Sequence, residues 1–472
     1  MGKKLKILLI NPPAKNPACG SPVEFLMSES GSYPPLGLLQ IATQVVRKTS
    51  HDVKIIDSQL ERLDYTGIRN IIFKEKPDIV GTTLNTEFLC DGYLVLKTAK
   101  QISSEIVTVA GGPHVTLFPV QTIKLKEIDY GFCGDADLNF LDFLESISRG
   151  KSVDDIPGII SKNNLDRKVS IVAIEDLDSV GFPDRRLLNY TKYSSLIAKD
   201  KPVTTLMTSR GCPFNCAFCP AGRTKIRYVS PEKVVGELKD CVELGIRDIL
   251  FFDELYTYDK KRVFEISNKI ISEGLKVRYH IRARIETLDE ETINILKKSG
   301  CRLIQFGIES GTDRIQKLLR KNLNLDKVKR IIKLTREAGI LTYGNFMLGS
   351  PTETYDEIMK TIEFAIELKL DFAIFAITKL LPKTDLYKNA LKTGLLKTPI
   401  WEEYMANPEI KIDSAYSSDQ FSKEQLEKIC IDAFRKFYLR PKYIVENYFG
   451  RIFSLKLFLT HLKSGLKIFL RW

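Results

Sequence analysis

Two successive stretches of the chain alternate between short apolar runs and amphipathic segments. In the first, LKILLIN (5–11), DVKIID (52–57), DIVGTTL (78–84), IVTVAGG (106–112) and YGFCG (130–134) have the length and composition of buried strands. PPLGLLQIATQVVRK (34–48), LVLKTAKQI (94–102) and LNFLDFLESISR (138–149) lie between them with apolar residues at helical spacing. The first of these helices is entered through prolines, whose missing N–H costs nothing at that position. This order predicts an α/β domain over 1–150 built on a doubly wound parallel sheet, of flavodoxin or Rossmann type. Ligands of such sheets bind at the carboxyl ends of the strands.

The rhythm breaks over 151–200, where IPGII and VGFPDRRLL are punctuated by proline and read as a linker. From Val203 a second alternation begins. VTTLMTS (203–209), DILFFD (248–253), VRYHIRAR (277–284), RLIQFGIES (302–310), LTYGNFMLG (341–349) and DFAIFAITKL (371–380) are strands, separated by helical segments such as 230–244, 289–300 and 354–368. Six strand–helix units predict a partial (β/α)6 barrel over 201–385, with its chemistry in the loops after the strands. Residues 386–472 are helical in pattern.

Composition narrows the setting. Hydrophobic content of 44% and charged content of 28% suit a globular chain with more than one core. The start, MGKKLKILLINPP, has too short an apolar run and no cleavage site for a signal peptide. Nine unevenly spaced cysteines argue against a disulfide framework and for a reducing, cytoplasmic compartment. The net charge of +12 favours an anionic partner. No basic patch interleaved with aromatics appears outside the last residues, so no nucleic acid is expected. Those last residues, RIFSLKLFLTHLKSGLKIFLRW (451–472), carry five Lys/Arg and no acid. They read as a basic amphipathic helix, the pattern of peripheral contact with the cytoplasmic face of a membrane. Such a contact points to a lipid or other hydrophobic substrate.

The chemistry concentrates in SRGCPFNCAFCPAGRTKIRY, directly after the first barrel strand, with Cys212, Cys216 and Cys219. Three thiolates hold a four-iron cluster and leave one iron without a protein ligand, an open position of the kind catalytic metal sites keep. Zinc would want a fourth ligand nearby, and the next cysteine is Cys241. The spacing Cys-x3-Cys-x2-Cys, with Phe218 before the last cysteine, resembles the signature of the radical S-adenosylmethionine (SAM) superfamily over about 203–385.

That resemblance implies a 4Fe–4S cluster, SAM chelated to its open iron, and a 5′-deoxyadenosyl radical that takes hydrogen from substrate carbon. It also implies an external electron donor such as flavodoxin or ferredoxin. By the same resemblance Asp253 or Glu254 receives the SAM amino group. Arg284 or Arg282 pairs its carboxylate, Glu309 bonds the ribose hydroxyls, and Gly349 shapes the backbone near adenine.

In the first domain, small and polar residues gather at consecutive strand ends: Asn11, Pro12 and Pro13; Thr82, Thr83 and Asn85; Gly111, Gly112, Pro113 and His114. With YPPLGLLQIA they resemble the cobalamin-binding domain that precedes the barrel in one radical SAM class, which includes methyltransferases and the anaerobic oxidative cyclases. None of the four histidines follows an Asp by two residues, as in the motif whose histidine ligates cobalt. His114 therefore reads as a loop residue, and the lower cobalt ligand stays unassigned. The class implies methyl transfer from methylcobalamin to an unactivated carbon of a small-molecule or lipid substrate, with a second SAM restoring the methyl.

Other readings share parts of this pattern. An oxidative cyclase or other carbon–carbon bond former carries the same motifs. A non-catalytic corrinoid or cluster carrier would need the cluster without SAM. A methylthiotransferase would use Cys19, Cys90 and Cys133 for a second cluster, but it would also need a C-terminal RNA-binding barrel.

Overall fold

The protein is described from a computed structural model, which covers residues 2–18, 31–165, 169–412, 416 and 418–446. The tail 451–472 and Cys19 lie outside the described residues. The chain divides into two units: Met1–Gly20, Ser32–Tyr193 and Pro399–Asp413 form one, and Ser21–Gly31, Ser194–Thr398 and Ser414–Trp472 the other.

The first unit is built on six strands: β1 (Lys6–Asn11), β2 (Asp52–Asp57), β3 (Ile79–Thr83), β4 (Val107–Gly111), β5 (Tyr130–Phe132) and β6 (Ile159–Ser161). Their order in the sheet is β2-β1-β3-β4-β5-β6. β1 to β5 are parallel, with Ile10 level with both Ile56 and Thr82. The order reverses between β1 and β3, and a doubly wound sheet binds its ligands at such a switch point. Ile7, Leu9, Leu39, Val45, Phe132 and Phe143 are among the residues that close the core on one face.

Two expectations about boundaries change. Residues 151–193, expected as part of a linker, group with the first unit, and β6 extends its sheet antiparallel to β5. Its apolar IPGII is too short to announce a strand without the sheet edge that receives it. The C-terminal region, expected as one helical body, also divides. Helix Ile400–Ala406 belongs to the first unit, where Tyr404 Oη accepts the Cys90 N–H at 3.1 Å. Helix Lys423–Tyr438 belongs to the second.

The second unit is a six-stranded parallel sheet in sequential order: β7 (Val203–Leu206), β8 (Asp248–Phe251), β9 (Arg278–Ala283), β10 (Cys301–Glu309), β11 (Leu341–Leu348) and β12 (Phe372–Ile377). Ser230, Asp259, Asp289 and Thr354 cap the helices that return along it, each side chain accepting a backbone N–H of the first turn. Outward residues of the strands pack against these helices. Tyr279 stacks on Phe251 at 4.8 Å between ring centroids, and its hydroxyl meets Ser299 Oγ at 2.5 Å. Among the described residues no helix is long and apolar enough to cross a membrane.

Candidate active site

The three cysteines sit on a loop closed at its base by a small hairpin, in which Ser209–Arg210 pairs antiparallel with Arg227–Tyr228. Gly211 turns the chain into the loop at φ +108°, and a Cβ there would stand 2.3 Å from the Lys225 carbonyl oxygen. Only glycine takes that path without strain. Cys212 N–H donates to Thr224 Oγ1 at 2.8 Å, and Thr224 N–H returns a bond to the Cys212 carbonyl at 2.9 Å. Ala217 ties the far side of the loop to the barrel, donating to Leu319 O and accepting from Leu386 N–H. Arg223 of the loop and Arg320 both pair with Asp385. All three cysteines are free thiols, half-buried, and Phe218 is half-buried between them. Burial holds Cys212 and Cys219 above the ordinary thiol range.

The loop's support explains which charged residues remain for a ligand. Asp253, fully buried, accepts Thr208 N–H at 2.7 Å, Thr208 Oγ1 at 2.5 Å and Ser209 Oγ at 2.6 Å. It braces the base of the cysteine loop, and those bonds occupy both of its oxygens. Glu254 is exposed, and its Oε2 accepts a long 3.4 Å bond from Gly211 N–H. Of the two acids considered for the SAM amino group, Asp253 is buried in the loop's base and Glu254 is exposed.

Arg284 is engaged within the protein on several sides. Its Nε and Nη2 bind the two oxygens of Glu286 at 3.3 and 2.7 Å, and Nη2 also donates to the Lys321 carbonyl at 2.9 Å. Nη1 donates to Cys216 Sγ at 3.4 Å, and the guanidinium lies 3.9 Å from the Phe214 ring centroid. With these partners Arg284 fastens the cysteine loop to the end of β9. Arg282, two residues back on the same face, stacks on Phe252 at 4.4 Å.

Glu309 ends β10 in a left-handed conformation, φ +68°, after a register shift between Gly307 and Glu309. Lys321 Nζ meets its Oε1 at 3.1 Å, and both side chains are buried. Strain at a strand end beside a buried ion pair is the kind of local cost that functional sites carry. Gly349 is buried against Leu426, 2.5 Å from where a Cβ would stand, and so acts through its backbone. Lys321 and Asp385 had no signal in the sequence, because their partners are distant in the chain and share no motif.

In the first unit the strand ends are lined by small groups. Asn11 Nδ2 donates to Asp57 Oδ1 at 2.8 Å, across the ends of β1 and β2. Thr82 Oγ1 is buried on Ile10 O at 2.7 Å, whereas Thr83 is half-buried and Asn85 exposed. A Cβ on Gly111 would meet no atom within 4 Å, so the end of β4 presents open backbone. Gly112 takes φ +98°, and a Cβ there would stand 2.6 Å from Thr83 Oγ1. Pro12 and Pro13 are buried, and Pro113 is exposed. The ring of His114 is wholly buried, with Nδ1 3.1 Å from Thr86 Oγ1 and its face 5.3 Å from Phe118. Burial lowers its pKa to about 4. Expected in a loop, it lies instead in the short helix Pro113–Leu117 and faces the interior of the unit.

The donor set decides whether an iron–sulfur cluster suits the loop. Among the described residues no three His, Cys, Asp or Glu side chains converge closely enough to hold a single metal ion. A cubane instead takes each protein ligand on a different iron, so its thiolates stand apart around it. Three free thiols on one braced loop supply the sulfur donors that such a cluster takes. Open backbone and small side chains at a switch point likewise fit a large planar cofactor.

Comparison with known proteins agrees in both units. The family described as the Radical SAM superfamily matches residues 206–365, and the B12 binding domain matches residues 27–144. An uncharacterized methyltransferase of Pyrococcus horikoshii is 36% identical over 454 residues, 95% of this chain and 95% of its own. The anaerobic magnesium-protoporphyrin IX monomethyl ester cyclase of Rubrivivax gelatinosus is 29% identical over 76% of this chain and 66% of its own. Among solved structures, the radical S-adenosylmethionine methyltransferase TsrM of Kitasatospora setae shares the fold, with a TM-score of 0.69 at 20% identity. It covers 83% of this chain and 78% of its own.

Proposed function

The chain belongs to the cobalamin-binding class of the radical SAM superfamily, and from that premise we propose that it transfers a methyl group from SAM to a carbon of its substrate. Cys212, Cys216 and Cys219 would hold a 4Fe–4S cluster and the strand ends of the first unit cobalamin, which when bound would supply the electron for SAM cleavage and the methyl group. In the balanced reaction a C–H bond is replaced by C–CH3. One SAM leaves as methionine and 5′-deoxyadenosine, a second leaves as S-adenosylhomocysteine, and an external reductant provides the electrons.

The observation that carries this reading is the braced loop with three free cysteines at the carboxyl end of the first barrel strand. Cys212, Cys216 and Cys219 hold the cluster. Glu254 takes the SAM ammonium, since the bonds of Asp253 are spent on Thr208 and Ser209. Arg282, near the end of β9 and on the same face as Arg284, takes the SAM carboxylate. Glu309 offers Oε2 to the ribose hydroxyls while Lys321 holds Oε1. Asn11, Thr83, Asn85, Gly111 and Gly112 form the cobalamin face. The likeness to the Rubrivivax cyclase supports a second reading, ring closure with loss of hydrogen.

The anaerobically reconstituted, reduced protein should release 5′-deoxyadenosine from SAM. No such product would sink the radical reading. Product mass separates the two outcomes: a gain of one methylene supports methylation, and a loss of hydrogens supports cyclisation.

A further inference from the structure

The two faces of the second sheet are buried to different degrees. Outward residues Ile304, Phe306, Ile308, Phe346, Leu348 and Phe375 are buried under the helices. Inward residues of the same strands, Gln305, Tyr343, Asn345, Met347 and Ile374, are only half-buried, and Ala376 is exposed. The inward side chains of a closed barrel normally fill it in layers. Here the half lined by β10, β11 and β12 is left open.

Its floor is shut, since Leu303, Leu341 and Phe372 pack with Leu196, Ile197 and Tyr343. Above that floor, Gln305 Nε2 donates to Asn345 Oδ1 at 3.1 Å. Asn345 is level with Gly307, which adds no side chain to the layer. A Cβ on Gly307 would stand 2.4 Å from Glu309 Oε1 and 2.7 Å from Lys321 Nζ, so the charged pair forms the rim directly above.

Two primary amides joined by one hydrogen bond keep an unused acceptor and unused N–H donors, whichever way each is turned. Water serves them while the pocket is open. A ligand that displaces this water without replacing its hydrogen bonds leaves each group unpaired and loses affinity. A hydrocarbon chain would do that. A planar group with a carbonyl beside an N–H would answer both amides at once.

We propose that this open half-barrel is the substrate pocket, and that its substrate presents a carboxamide, lactam or ureide edge to Gln305 and Asn345. The apolar body of the substrate lies against Met347 and Ile374. The proposal rests on the radical SAM reading and names the substrate class for it. It also turns away from the lipid suggested by the tail.

The test uses the reconstituted holoenzyme and two probes of similar shape, benzamide and isopropylbenzene, with binding followed by saturation-transfer NMR. Benzamide should bind the wild type more tightly than isopropylbenzene. The double variant Gln305→Leu/Asn345→Leu should reverse that order, with a loss of benzamide affinity of about tenfold or more. Gln305→Glu, which keeps the shape and removes the donors, should weaken benzamide in the same direction. Circular dichroism and cluster absorbance check that the variants fold. Equal benzamide binding by wild type and double variant, or a wild-type preference for isopropylbenzene, would overturn the proposal. Release of 5′-deoxyadenosine by the wild type is measured separately and decides the radical reading, so the two ideas fail independently.

Discussion

At its strand ends the first sheet offers Asn11, Thr83, Asn85, Gly111 and Gly112, and the second offers three thiols, Glu254, Arg282 and the Glu309–Lys321 pair. β1 to β5 of the first sheet and all six strands of the second are parallel, and in such sheets ligands bind at the carboxyl ends. The first works by leaving room, so its residues are small and its specific feature is the backbone path at Gly112. The second works by placing charge and sulfur, so its residues need braces: Asp253 under the loop and Arg284 beside Cys216. A site made of room tolerates many sequences, whereas a site made of ligands fixes residue types at fixed spacing.

The largest effect that separates the two comes from Cys219→Ala. It should abolish cluster absorbance and 5′-deoxyadenosine release while the first unit still binds added cobalamin. Loss of both would break the division of labour.

Acid should act on both units alike. His114 and His280, one in each unit, are buried with pKa values lowered to about 4. Between the unfolded value near 6.5 and about 4, the unfolded chain carries the proton and the fold does not. Stability therefore falls as pH drops through that window, by about 3 kcal/mol per histidine at its lower end. Urea unfolding at several pH values should show this slope, and His114→Gln and His280→Gln should each flatten it. An unchanged slope in both variants would contradict the burial argument.

Arg284→Gln should cost about ten- to a hundredfold in cluster retention, the usual effect of losing a support to a metal ligand. The KM for SAM should stay near that of the wild type. A raised KM with the cluster intact would return Arg284 to the SAM carboxylate. Gly112→Ala is the smallest change. It should cost about 1–3 kcal/mol of stability, because Gly112 holds φ +98° and ψ −179°, a conformation nearly confined to glycine, and lower cobalamin occupancy, with iron content unchanged.

The same contrast governs what could be read from the chain. The strands of both sheets were legible because a parallel strand is a short apolar run whatever surrounds it. The cysteine loop was legible because three ligands on one loop need close spacing. How Asp253, Glu254 and Arg284 are engaged within the protein was not, since residue type says nothing about which hydrogen bonds are already spent. Arg223 and Arg320 meet on Asp385, 162 and 65 residues away, and no local pattern marks that meeting. β6 was missed because it is a strand only at the edge of an existing sheet. Gln305 and Asn345 read as ordinary strand residues until their shared inward face was seen.

The central claim is that methylation here begins with a radical made at the cysteine loop. It is tested most directly by counting 5′-deoxyadenosine and S-adenosylhomocysteine in one anaerobic reaction of the holoenzyme with its substrate. The account predicts equal amounts of the two, each matching the methylated product. S-adenosylhomocysteine matching the product with no 5′-deoxyadenosine would contradict it, because the methyl would then have moved without a radical.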